Sequence, residues 1–206
     1  MKRNSKAMRR SLFLIFFACV SVFSVYSQQT LLLINGKEKE ITSWRANKEQ
    51  NKVFFIEKNE TIEKKVSIDR TYSINKAGKP DTILYFRDSL EGNEMTLEQM
   101  HLYIMGMQHA RKVYKSVPAF IGGFVSGMIG MPLLKFWGTG LPVIYTLFIS
   151  FREPRIKGDE KLNPAISTSP YFIDGYRVMG KRIKVRNALL GGLLGTACAI
   201  VYQITL

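Results

Sequence analysis

Two histidines, His101 and His109, are the residues of this chain best suited to proton transfer or metal ligation. They stand eight residues apart on a predicted helix, about 80° out of line. That spacing is not the i, i+4 zinc pair of a metalloprotease. Met100, Met105 and Met107 surround them, and thioether sulfur beside imidazole is copper(I) chemistry. Methionine as the apolar face of a helix, with histidine as an interfacial polar residue, is the plainer reading and fits the helical spacing. No G-x-S-x-G, H-E-x-x-H, phosphate-binding glycine loop or dinucleotide fingerprint occurs. The acidic pair Asp159-Glu160 lies among lysines in a Gly- and Pro-containing segment, which is the composition of a solvated linker. The residues therefore predict a non-enzymatic protein with no metal site and no cofactor.

The other groups able to do chemistry are cations. Arg111, Lys112 and Lys115 close one predicted helix, and Arg177, Lys181, Arg182, Lys184 and Arg186 crowd a second. Clustered Lys and Arg grip phosphate, and nucleic acid is one partner with that footprint. Here each cluster runs straight into an uncharged apolar stretch, so anionic lipid headgroups are the predicted partner and nucleic acid is not. Each such residue is worth ~1 kcal/mol beside an anionic surface. The formal net charge is +14. Residues 28–98 carry twelve basic and twelve acidic side chains, while 99–206 carry thirteen and four, a net of +9. The charge excess and the apolar runs share one half of the chain.

Those runs are rich in glycine. FIGGFVSGMIG (120–130) and LLGGLLGTACA (189–199) place poor helix formers where an apolar helix is expected. In water each interior glycine costs ~1 kcal/mol against alanine. Lipid removes the competing water, and a missing side chain lets helices approach closely. Gly122, Gly123, Ser126, Gly127 and Gly130, with Gly191, Gly192 and Gly195, form small-x-x-x-small ridges predicted to pack helix on helix, within the chain or between copies. The two regions align without gaps at an offset of 69: Gly106 on Gly175, Lys112 on Lys181, Lys115 on Lys184, Gly122-Gly123 on Gly191-Gly192. Each unit reads as a basic amphipathic helix that delivers the chain into a Gly-rich apolar one.

The elements that position these residues follow from pattern. Residues 1–27 read as a signal peptide: five basic residues, an apolar run, then Val25 and Ser27 before a cleavage site at Gln28. An uncleaved anchor is disfavoured by the short run, and lipidation at Cys19 by a poor recognition sequence. Cleavage leaves one cysteine, Cys198, and no internal disulfide. Residues 28–93 read as a small β-rich exported domain of about five strands, QTLLLI, KEKEITSW, NKVFFIEK, TIEKKVSI and DTILYF. Asn35-Gly36 is its hairpin signal, Lys58-Asn59-Glu60 a turn with Asn59 suited to a left-handed conformation, and Lys76–Asp81 a breaker cluster. Residues 94–116 form a basic amphipathic helix opened by a Thr96–Gln99 capping box. A Gly-rich membrane region spans 117–134, with 139–151 as a possible return, and 152–170 is a polar loop. Residues 171–206 form a second basic helix, begun at Ser169-Pro170, that continues into a transmembrane helix at 187–205. The fold class is α+β with two or three Gly-rich transmembrane helices. The positive-inside preference favours a hairpin in which the two glycine helices run antiparallel. Were both to enter from one side, 139–151 would have to recross.

SVYSQQ at the cleavage site, LLLINGKEKE, DTILYFRDS, YIMGMQHARKVYK and YFIDGYRVMGKRIK together resemble exported and membrane envelope proteins of Bacteroidota. The resemblance implies an exported, membrane-associated protein and brings no activity and no catalytic residue. The sequence thus predicts an integral protein of the bacterial envelope, in the inner membrane with its N-terminal domain exported. Its expected role is scaffolding, with anionic lipids and a second copy or an envelope protein as partners. A small transport or pore-forming component is the alternative. Only Lys135 interrupts the apolar region, and no acid pairs with it there, which disfavours an ion relay.

Overall fold

Residues 1–27, read above as a signal peptide, fall outside what the computed structural model describes, which is residues 29–76, 79–88, 93–156 and 164–205. Asp159-Glu160, residues 77 and 78, and the side chains of Met131, Leu134, Lys135 and Phe136 lie outside it too. The chain is α+β. It divides into two compact units, one running to Leu84 without Leu33–Lys37, the other comprising Leu33–Lys37 and Tyr85–Leu206.

The first unit is a six-stranded sheet in the order β4-β3-β2-β1-β5-β6. Its strands are β1 Gln29–Leu33, β2 Glu38–Asn47, β3 Lys52–Glu57, β4 Glu63–Ser67, β5 Thr71–Lys76 and β6 Lys79–Ile83. The pairings β1–β2, β2–β3, β3–β4 and β5–β6 are antiparallel. Asn35-Gly36 makes the first turn: Gly36 sits at φ 72°, and Asn35 Oδ1 accepts from the Lys37 amide at 3.0 Å. The left-handed asparagine is Asn51, at φ 51° in the turn before β3, and not Asn59. Strand β5 escapes a reading by alternation because Thr71, Tyr72, Ser73 and Ile74 are all buried, so polar and apolar residues do not mark opposite faces. The core residues Leu31, Leu32, Ile41, Val53, Phe55, Ile68, Tyr72 and Ile74 come from four strands and a 3-10 turn. The outer strands carry what blunts an edge, Lys64 and Lys65 on β4 and Pro80 on β6.

The second unit holds five α-helices among the described residues: α1 Leu97–Val113, α2 Val117–Leu134, α3 Leu141–Ser150, α4 Pro164–Ser167 and α5 Pro170–Thr205. A 3-10 segment, Lys135–Gly140, joins α2 to α3. Both arms of the capping box open α1: the Gln99 amide donates to Thr96 Oγ1 at 3.3 Å and the Thr96 amide to Gln99 Oε1 at 2.9 Å. The basic and glycine-rich parts of the last segment form one unbroken helix of 36 residues. By length and composition α5 is the one helix among the described residues that could cross a membrane; the apolar helices Val117–Gly130 and Trp137–Ser150 are shorter.

Candidate functional site

Glycine positions fix how α1, α2 and α5 lie. A Cβ added at Gly106 would strike the backbone of Phe172 and Tyr176, and one at Gly175 the backbone of Tyr103. Further along, Gly123 abuts Ala188, Gly127 abuts Gly192 and Thr196, Gly191 abuts Phe120 and Phe124, and Gly195 abuts Phe124 and Met128. At every one of these glycines the added carbon would come under 3.0 Å from at least one backbone atom of the neighbouring helix. Partner numbers rise together from Phe120–Gly191 to Met128–Gly195, so α2 runs parallel to α5; α1 does too, with Gly106 beside Phe172 and Ser116, just past its end, beside Asn187. The antiparallel hairpin expected from the charge distribution is not what forms. Parallel packing also answers a local requirement, since it brings the basic ends together and lets Asn187 Nδ2 reach the Ser116 carbonyl at 3.5 Å.

The contacts are reciprocal. Gly106 meets Phe172 while Gly175 meets Tyr103, and both Gly106 to Gly175 and Tyr103 to Phe172 are 69 residues. The same small residue therefore lies against the same aromatic position from either direction.

Each Gly-Gly pair faces two neighbours, because adjacent helical residues point about 100° apart. Gly123 and Gly191 serve the α2–α5 contact. Gly122 receives the phenol of Tyr145 and Gly192 the ring of Pro142, both on α3, while Gly130 receives the backbone of Gly138. Since Gly130 meets 138 and Gly122 meets 145, the chain from 138 onward runs back antiparallel to α2. Hydroxyls in this apolar unit are satisfied within their own helices: Ser126 Oγ donates to the Gly123 carbonyl and Thr146 Oγ1 to the Pro142 carbonyl, each at 2.7 Å.

The basic residues meet different fates. Lys112, Lys115, Arg182 and Arg186 are exposed and Lys181 is half-buried. Arg177 pairs with Glu153 at 3.3 Å. Lys184 is turned inward, 8% exposed, and its Nζ donates to the Arg152 carbonyl at 2.8 Å, where it ties the segment after α3 to α5. Arg111 is half-buried, with Nη2 donating to the Asn35 carbonyl at 2.9 Å. Burial, and then the nearby Arg182 and Arg186 guanidiniums, push Arg111 below the usual arginine range; arginine remains charged at neutral pH all the same. Asn35 and Lys37, read in the sequence as hairpin residues alone, border the same cavity as Arg111.

His109 lies inside the α1–α5 contact, its ring centroid 5.8 Å from that of Phe172 and 5.9 Å from that of Tyr176. His101 is exposed. Among the described residues no group of three or more His, Cys, Asp and Glu could hold a metal. Cys198 is a free, exposed thiol. No protein family, curated protein or solved structure matches the chain.

Proposed function

We propose that the chain is a non-enzymatic integral membrane protein of the bacterial cell envelope, in which the glycine-packed helices anchor an exported strand domain. The observation that carries this is the placement of residue sizes. In α2, α3 and the second half of α5 the small residues face other helices. Large apolar ones face outward, among them Leu133 at 71% exposed, Phe148 at 65% and Leu193 at 69%, as does Trp137 of the intervening 3-10 segment at 82%. Water-soluble proteins rarely leave so continuous an apolar surface uncovered, whereas lipid favours this arrangement. Only 28% of the most apolar window of α5 is buried, which is unlike the core helix of a soluble protein.

On this reading α2 and the second half of α5 enter the bilayer from the same side and residues 135–150 recross it, giving three passages. Eighteen residues of α2 reach about 27 Å, close to the ~30 Å hydrocarbon core. The reciprocal contacts support a duplicated unit, two copies of a basic helix plus glycine helix packed as a parallel pair. Glycines closed on a neighbour's backbone leave no lumen at those positions, which favours an anchor or scaffold over a conduit. A second copy or an envelope protein remains the proposed partner, and the resemblance to Bacteroidota envelope proteins agrees with the location.

Trp137 supplies the test. Reconstituted into vesicles whose acyl chains carry bromine, the protein should lose a large part of its tryptophan fluorescence, and Trp137→Phe should abolish that loss while Trp44 stays unquenched. Equal emission in brominated and ordinary lipid would reject the bilayer placement.

A further inference from the structure

We infer that the cavity bordered by Lys37, Arg111, Arg182 and Arg186 is a binding site for a phosphate ester. The cavity has a volume of about 490 Å³, within the range of small-ligand sites. Among the described residues, four of its lining side chains are cations and none is acidic; Met179 and Ile183 supply the apolar part of the wall. Like charges held together without a counter-charge oppose one another, so the cluster is stabilised when an anion enters. Burial lowers Arg111 most, and the further lowering by Arg182 and Arg186 is in line with that opposition.

The geometry suits phosphate better than a single carboxylate. Arg111 is held from one side by the Asn35 carbonyl, which leaves it a preorganised planar fork. Its Nε is buried and has no hydrogen-bond partner, a donor whose desolvation is uncompensated in the free protein. Arg182 and Arg186 are four apart on α5, hence on one face of that helix. Lys37 comes from the turn after β1 and completes the ring of cations. Several guanidiniums plus an ammonium around one cavity match the several oxygens of a phosphate, and Met179 with Ile183 give the organic part of an ester a surface to pack on.

The source of the phosphate follows from position. Arg186 immediately precedes the uncharged stretch from Asn187, and Arg111 stands six residues before Val117. If the apolar helices lie in a bilayer, the cavity sits at headgroup level and the ligand is an anionic phospholipid; that choice of source rests on the membrane proposal. The binding site itself does not depend on it, because a free phosphate ester offers the same oxygens.

The test uses the full chain in detergent and in vesicles, with the double variant Arg182→Gln/Arg186→Gln and the charge-matched control Lys112→Gln/Lys115→Gln. Both pairs are exposed, and equal thermal midpoints would establish that both variants fold. The probes are inorganic phosphate, titrated calorimetrically, and phosphatidylglycerol retained through purification from mixed phosphatidylcholine–phosphatidylglycerol vesicles. The cavity variant should lose about tenfold or more beyond what the control loses, in affinity or retention for at least one probe. Loss with the lipid alone identifies a headgroup site; loss with inorganic phosphate as well identifies a site open to soluble esters. Equal losses in both variants would mean diffuse surface attraction and overturn the inference, as would the absence of saturable binding to either probe. Phosphate binding by a protein that proves not to be membrane-embedded would refute the membrane proposal and leave this site standing.

Discussion

Gly123 and Gly140 differ only in what surrounds them, and that difference can be read as stability. A methyl group at Gly123 would meet the Ala188 backbone, whereas one at Gly140 meets nothing within 4 Å. Gly123→Ala should therefore destabilise the helical unit by ~1–3 kcal/mol, the cost of overpacking. Gly140→Ala, at φ −76°, should be neutral or stabilising by up to ~1 kcal/mol. Thermal midpoints of the two variants in one detergent would check this, and equal effects would remove the close-packing explanation. Glu57 offers a second residue-scale prediction. Its carboxylate accepts from Lys39 Nζ at 2.6 Å and pairs with Lys64 Nζ at 3.1 Å; these bonds, Lys39 foremost, hold it below the ordinary glutamate value. A carboxylate depressed in the folded state contributes stability above its unfolded pKa and loses it as pH falls through the folded one. Resistance to urea unfolding, followed at Trp44, should therefore weaken as pH falls below about 4.5, and Glu57→Gln should flatten that part of the profile. The packing glycines were legible in the sequence because spacing alone marks a ridge. The inward turn of Lys184 and the part played by Asn35 and Lys37 were not, since each depends on a partner far away in the chain.

At the level of elements, the register of the glycine helices matters most. Composition alone permits antiparallel and parallel arrangements, and charge counting favoured the first. Backbone approaches select the second, because the ridges of α2 and α5 interlock only when both run the same way with their basic ends together. The 69-residue alignment carried that information in principle: two equivalent units sharing a two-fold relation along their axes are parallel, and equivalent glycines then meet equivalent aromatics. Gly106 and Gly175 belong to the same contact for that reason, although they stand among basic residues and not in an apolar run. A disulfide tests the register. In a Cys198→Ala background, Ser116→Cys with Asn187→Cys should cross-link within the monomer, because Asn187 reaches the Ser116 carbonyl. An antiparallel pair would hold these positions at opposite ends, and failure to cross-link under oxidant would contradict the parallel arrangement. In the sheet unit, the Asn35-Gly36 hairpin and the early strands followed from alternation and turn chemistry. Strand β5, buried on both faces, gave no such pattern.

Taken whole, the molecule joins a strand unit to a helical unit whose glycine-rich half keeps its small residues inside and its large apolar residues outside. A bilayer would make that arrangement favourable, and the anchoring proposal and the choice of a lipid headgroup as ligand both depend on it. On the proposed membrane reading, the parallel register puts the segment before α2 and the basic first half of α5 on one side of the bilayer and Thr205 on the other; were the proposed leader cleaved, the shared side would be the exported one. Extraction of isolated membranes with alkaline carbonate tests the central claim most directly. A protein embedded by three passages stays in the membrane pellet and is released only by detergent; recovery in the carbonate supernatant would contradict the bilayer reading of the glycine helices.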